Sequence, residues 1–151
     1  MDSNLLEHMM QPKNYGVIEN SDSEGIGKNP HNGEKVIIFL KVKNENEPII
    51  EDIKFQAIGC MTTVIAGSII TSEAVGLTFE RGDALVGATL GMLDSIPPEE
   101  AACSEMVALA LKAAMDTYME RQKDSDFPMI TYKILNNCAT NEENQQGSEN
   151  E

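Results

Sequence analysis

The sequence predicts an α+β fold, a three-stranded antiparallel meander packed against helices. Two observations carry this. Two consecutive β-branched runs are joined by a short polar link, and after residue 60 the apolar pattern changes to helical spacing and keeps it to residue 121. Strands followed by helices put the helices on one face of a small sheet. The chain has 151 residues, enough to bury the core of a single domain.

Each element has its own signal. Residues 3–10 open on Ser3, a good helix cap, and Pro12 stops the apolar spacing that follows, which predicts a short helix. Residues 13–34 are rich in Asn, Gly, Asp and Ser and predict a long loop holding one short strand. Residues 35–43 and 49–58 are the two clear strands, the second alternating polar and apolar from Glu51, with residues 44–48 as the hairpin link. Residues 62–75 place Val64, Ile65, Ser68, Ile69 and Ser72 on one helical face, and Gly76 ends that helix. Residues 79–90 predict a second helix, Pro97-Pro98 a break, and residues 102–121 a long helix with Cys103, Val107, Ala110, Leu111, Ala114 and Tyr118 on one stripe. Residues 129–135 read as an extra strand, and the polar, acidic stretch from Asn136 as a disordered tail. The expected division is a domain over 1–128 and a C-terminal extension over 129–151.

Lysine and arginine number 11 against 25 aspartates and glutamates, a net charge of −14. Nucleic acid and anionic lipid both require a basic surface, so neither is the expected partner; cations or a basic protein are compatible. No apolar run approaches the ~20 residues of a membrane span, and the N-terminus lacks a basic segment leading into an apolar one, so a cytoplasmic protein is expected. Cys60, Cys103 and Cys138 are too few and too odd in number for a disulfide framework. The nine methionines are scattered and read as core filling.

Cys60 follows a strand and a glycine and directly precedes a helix, and Cys103 is expected in the first turn of another. A helix N-terminus favours thiolate over thiol, the form that binds soft metals and handles sulfur. The spacing is equally consistent with two small buried side chains. In Asn32-Gly33-Glu34 the glycine suggests a tight turn. Glu34 is either a carboxylate ligand or a solvated loop acid, and His31 either a ligand or an exposed loop histidine.

Residues 2–122 resemble the U-type iron–sulfur cluster assembly scaffolds: IscU, SufU and the N-terminal domain of NifU. The resemblance rests on Gln11-Pro-Lys-Asn14, Gly27-Lys-Asn-Pro-His-Asn-Gly-Glu34, Phe55-Gln-Ala-Ile-Gly-Cys60, Pro97-Pro98, Cys103-Ser104 and Lys112-Ala-Ala. It implies a site of three cysteines and an aspartate that holds zinc, iron or a nascent cluster, most naturally 2Fe–2S. The family's Cys-Gly-Asp turn reads Asn32-Gly33-Glu34 here, so the first thiolate is missing and the acid is longer. A histidine common before the last cysteine is Ala102, and the chaperone-docking Leu-Pro-Pro-Val-Lys is Ile96-Pro-Pro-Glu-Glu100 with its charge reversed.

The resemblance therefore implies Cys60, Cys103 and Glu34 as ligands and Cys103 as the candidate sulfur acceptor. Asn32 and His31 are accessory candidates, and Cys138, which matches no cysteine of the family, is either a surrogate thiol from the tail or an incidental tail residue. Because clusters are usually held by four thiolates, it implies either a homodimer bridging a cluster with both cysteines of each subunit, or a site completed by Glu34 or a partner's thiol. The implied partners are a cysteine desulfurase and recipient apo-proteins, and the implied role is assembly, not enzymatic turnover. Two other readings remain open here: a degenerate scaffold that binds an assembly factor as a regulator, and a sulfur-transfer protein using Cys103.

Overall fold

The computed structural model describes residues 10–134. The helix expected over 3–10, Cys138 and the acidic tail fall largely or wholly outside the described residues. Strand β1 (Ser23–Lys28) is followed by β2 (Lys35–Asn44), β3 (Pro48–Ile58), helices α1 (Met61–Ala74) and α2 (Phe79–Gly91), a 3₁₀ turn at Leu93–Ser95, helix α3 (Pro98–Arg121) and strand β4 (Ile130–Lys133). β1, β2 and β3 form the expected antiparallel meander, and β4 adds a fourth strand parallel to β1, giving the order β3-β2-β1-β4. Among the described residues no helix is long and apolar enough to cross a membrane.

The sheet buries one face beneath α3. Val36, Ile38 and Leu40 of β2 and Ile50, Ile53 and Phe55 of β3 are fully enclosed, facing Met106, Val107, Ala110, Leu111 and Ala114 of α3 in one core. The β2–β3 register shifts at Lys41/Val42, where Val42 pairs with Ile50 and Lys41 with Asp52. Glu51 is the extra residue, and this bulge is why Ile50 and Ile53 both face inward despite their odd spacing.

β1 is the short strand expected inside the glycine-rich loop. A Cβ on Gly25 would collide with the backbone of Ala113 and Ala114, and one on Gly27 with the carbonyl oxygen of Met106. These two glycines let α3 lie flush on the strand, and the Ser23 hydroxyl donates to the Ala114 carbonyl at 2.9 Å.

α1 presents a different face from the one its apolar pattern predicts. Its buried residues are Thr63, Gly67, Ser68, Ile70, Thr71 and Ala74, whereas Val64, Ile65 and Ile69 are only half-buried and Ser72 is exposed. The reason is close approach: a Cβ on Gly67 would strike the Phe55 ring, so short side chains must face inward. The chain before β1 is tied to this helix, with the Lys13 amide donating to Ser68 Oγ at 2.7 Å and Asn14 Nδ2 to Thr71 Oγ1 at 3.0 Å.

β4 lies past the boundary drawn at residue 128 and joins the sheet. The Ile130 amide donates to Thr117 Oγ1 at 3.1 Å, and the Tyr132 hydroxyl donates to Asp116 Oδ2 at 2.6 Å. That bond to a carboxylate is the main reason the Tyr132 phenol is pushed up to about 12.

Candidate metal and sulfur site

Cys60 sits between the end of β3 and the start of α1, as the N-cap of that helix, with its side chain exposed. The amide of Thr63 in the first turn pulls the thiol below its ordinary range, against a smaller opposing effect of burial. Gly59 leaves room beside it. A Cβ there would come within 3.2 Å of Glu34 Cδ and 3.4 Å of Thr63 Oγ1.

Glu34 reaches that spot from the β1–β2 turn. The Gly33 amide donates to the Asn29 carbonyl at 3.0 Å, the Asn29 amide to the Glu34 carbonyl at 2.8 Å, and the His31 amide to Asn29 Oδ1 at 2.9 Å. Gly33 takes φ +80°, a left-handed conformation that glycine adopts without steric cost. Asn32 Oδ1 accepts from the Glu34 amide at 3.0 Å, so its oxygen caps the turn. Asn32 still lines the cavity described below; His31 is exposed and does not.

Cys103 arrives from α3. That helix begins at Pro98, four residues before the expected start, because proline suits the first helical position, where no N–H bond is needed. Cys103 therefore lies in the second turn and does not gain from the helix start. It is 4% exposed, and burial pushes its thiol up to about 11, offset in part by the Thr63 hydroxyl and reinforced by the nearby charges of Cys60 and Glu34. The expectation of a thiolate favoured by a helix end holds for Cys60 and fails for Cys103.

The two thiols nonetheless meet. Thr63 Oγ1 donates to Cys103 Sγ at 3.1 Å and lies 3.9 Å from Cys60 Sγ. The sulfurs are thus no more than about 7 Å apart, against about 3.8 Å for two thiolates sharing one tetrahedral ion. Both open on a cavity of about 470 Å³ also lined by Asn29, Asn32, Glu34, Ala102 and Glu99. Among the described residues no three His, Cys, Asp or Glu side chains are drawn together to metal-binding distance. Two thiols and two carboxylates line a shared space.

Thr63, Asn29 and Glu99 escaped the sequence reading. Glu99 stands four residues before Cys103, hence on the same helical face, and Thr63 stands three after Cys60 in the first turn. Both spacings were available as signals.

The contrast between the thiols has a measurable outcome. With iodoacetamide at neutral pH, peptide mass mapping of the Cys138→Ser protein should find Cys60 modified first. A lowered thiol pKa gives more thiolate at a given pH, so the Cys60 rate should approach its plateau at lower pH than that of an ordinary thiol, while the Cys103 rate is still rising at about pH 11.

A meander backed by helices, with two thiols and two acids converging at one end, defines a small α+β domain with a cysteine-lined cavity. Residues 1–125 match the family described as the NifU-like N terminal domain. The iron-sulfur cluster assembly scaffold protein IscU 1 of Archaeoglobus fulgidus is 33% identical over 123 residues, spanning 81% of this chain and 78% of that protein. The IscU scaffold protein of Aquifex aeolicus is 28% identical over 119 residues, spanning 78% and 75%. A putative scaffold protein for the SUF system from Fervidobacterium islandicum superposes with a TM-score of 0.61 at 18% identity, covering 76% of this chain and 96% of that one. A NifU-like N-terminal structure from Brucella abortus gives 0.65 at 14% identity, covering 80% and 94%. These two likenesses show the fold. This chain belongs to the NifU-like N-terminal domain family.

Proposed function

We propose that this chain is an iron–sulfur cluster assembly scaffold that holds iron, zinc or a nascent cluster between Cys60 and Cys103. The observation that carries the proposal is the convergence of these thiols, 43 residues apart in sequence, on one buried hydroxyl and in the lining of one cavity. Family membership and the scaffold names of the curated relatives support it.

In this reading Cys60, Cys103 and Glu34 are the ligands. Two thiolates and a carboxylate fall short of the four ligands of a closed site. A 2Fe–2S cluster bridging two copies, with both cysteines from each, supplies the missing thiolates. Asn32 contributes an amide oxygen, a poor ligand beside thiolates. Sulfur comes from a cysteine desulfurase, and the cluster passes to recipient apo-proteins. The exposure of Cys60 and the burial of Cys103 favour Cys60 as the first thiol to meet an incoming persulfide, in place of Cys103.

The test is anaerobic reconstitution with ferrous iron and sulfide, followed by iron and acid-labile sulfide analysis. The parent should develop visible absorption and equal iron and sulfide content, with a solution mass of two chains. Equal absorption from the Cys60→Ser protein sinks the proposal.

A further inference from the structure

Among the described residues four threonines are buried within helices: Thr63, Thr71, Thr89 and Thr117. Three behave as buried helical threonines usually do, donating the hydroxyl to the carbonyl four residues back. Thr71 donates to Gly67 at 2.7 Å, Thr89 to Leu85 at 2.9 Å and Thr117 to Ala113 at 2.7 Å. Thr63 differs. It stands in the first turn of α1 and directs its hydroxyl off the helix to Cys103 Sγ at 3.1 Å.

We propose that Thr63 is a positioning residue of this site: its buried hydroxyl donates to the Cys103 sulfur, holds it beside Cys60, and so sets how strongly that sulfur donates to a bound metal or cluster. The proposal rests on the scaffold reading for its purpose but not for its geometry. Thr63 is wholly enclosed, so no water competes for its proton, and it lies 3.9 Å from the second sulfur. Its backbone is fixed as well, the amide donating to the Cys60 carbonyl at 3.1 Å. Gly59 keeps the neighbouring space free for the hydroxyl. A hydrogen bond to a ligating sulfur withdraws electron density from it, and such bonds set the reduction potential of iron–sulfur centres. Thr63 is no ligand itself and acts through Cys103.

Two measurements test this, one independent of any cluster. In the metal-free protein, nuclear magnetic resonance should find the Thr63 hydroxyl proton protected from exchange with water. Cys103→Ala should speed that exchange about tenfold or more, the scale of losing one hydrogen bond, and leave the Thr71 hydroxyl unchanged. In the reconstituted protein, Thr63→Val, which keeps the side chain's size, should shift the reduction potential to a more negative value, and Thr63→Ser should restore it. Unchanged hydroxyl exchange in Cys103→Ala, or one potential shared by the parent and the Val variant, overturns the proposal. A protected hydroxyl in a protein that takes up no cluster overturns the scaffold reading and leaves the positioning contact standing.

Discussion

Gly27→Ala is expected to remove a large share of the domain's stability. The new Cβ would run into the Met106 carbonyl oxygen and stand 2.9 Å from the Ala110 amide nitrogen, both backbone atoms of α3. Backbone inside a helix has no rotamer to escape into, so α3 must lift from β1. That motion opens the core shared by Val36, Ile38, Met106 and Leu111. Ordinary overpacking costs about 1–3 kcal/mol, and a clash with fixed backbone should cost about 3 kcal/mol or more, against a total of roughly 5–15 kcal/mol for a typical domain. Urea denaturation measures it. Gly87→Ala is the control: no atom lies within 4 Å of a Cβ at that exposed position inside α2, so it should gain roughly 0.5–1 kcal/mol. Equal midpoints for the two variants would refute the account of β1.

Asn32→Cys is expected to strengthen metal binding by about a hundredfold or more, since structural zinc sites are worth about 10–16 kcal/mol over four ligands. Asn32 already lines the cavity with both thiols, and the turn that carries it is fixed by Gly33 and Asn29. The substitution places a soft sulfur where a weak amide oxygen stands. It also removes the acceptor of the Glu34 amide, at a cost of about 1 kcal/mol or less because the site is exposed. Chelator competition for zinc reads the gain, and a third thiolate should reduce the need for a second copy. An affinity equal to the parent's would mean that Asn32 does not face the ion.

Much of this architecture was legible, and the exceptions share a cause. The β2–β3 hairpin and the stripe from Cys103 to Tyr118 follow from local periodicity, because each element meets its neighbour along its whole length. β1 was faint because Gly25 and Gly27 weaken a strand pattern, and the need for them comes from α3, 79 residues beyond Gly27 at Met106. The face of α1 was misread for a related reason. Its larger apolar residues suggested burial, yet contact with Phe55 demands the small ones. At the site, cysteine types and spacing pointed to Cys60 and Cys103. Their unequal environments depend on where α3 begins, and the double proline read as a break supplies the cap and the first residue of that helix. Thr63 carries no ligand chemistry, so only the fold exposes its contact with sulfur.

Cobalt(II) titration of the Cys138→Ser protein under anaerobic conditions probes the shared thiol site most directly. Thiolate-to-cobalt charge-transfer absorption should rise to saturation with the strength of two thiolates contributed by each chain, and fall sharply when either Cys60 or Cys103 becomes serine. Absorption that survives one of these substitutions undiminished would contradict the claim that both sulfurs, brought together across α1 and α3, hold the same ion.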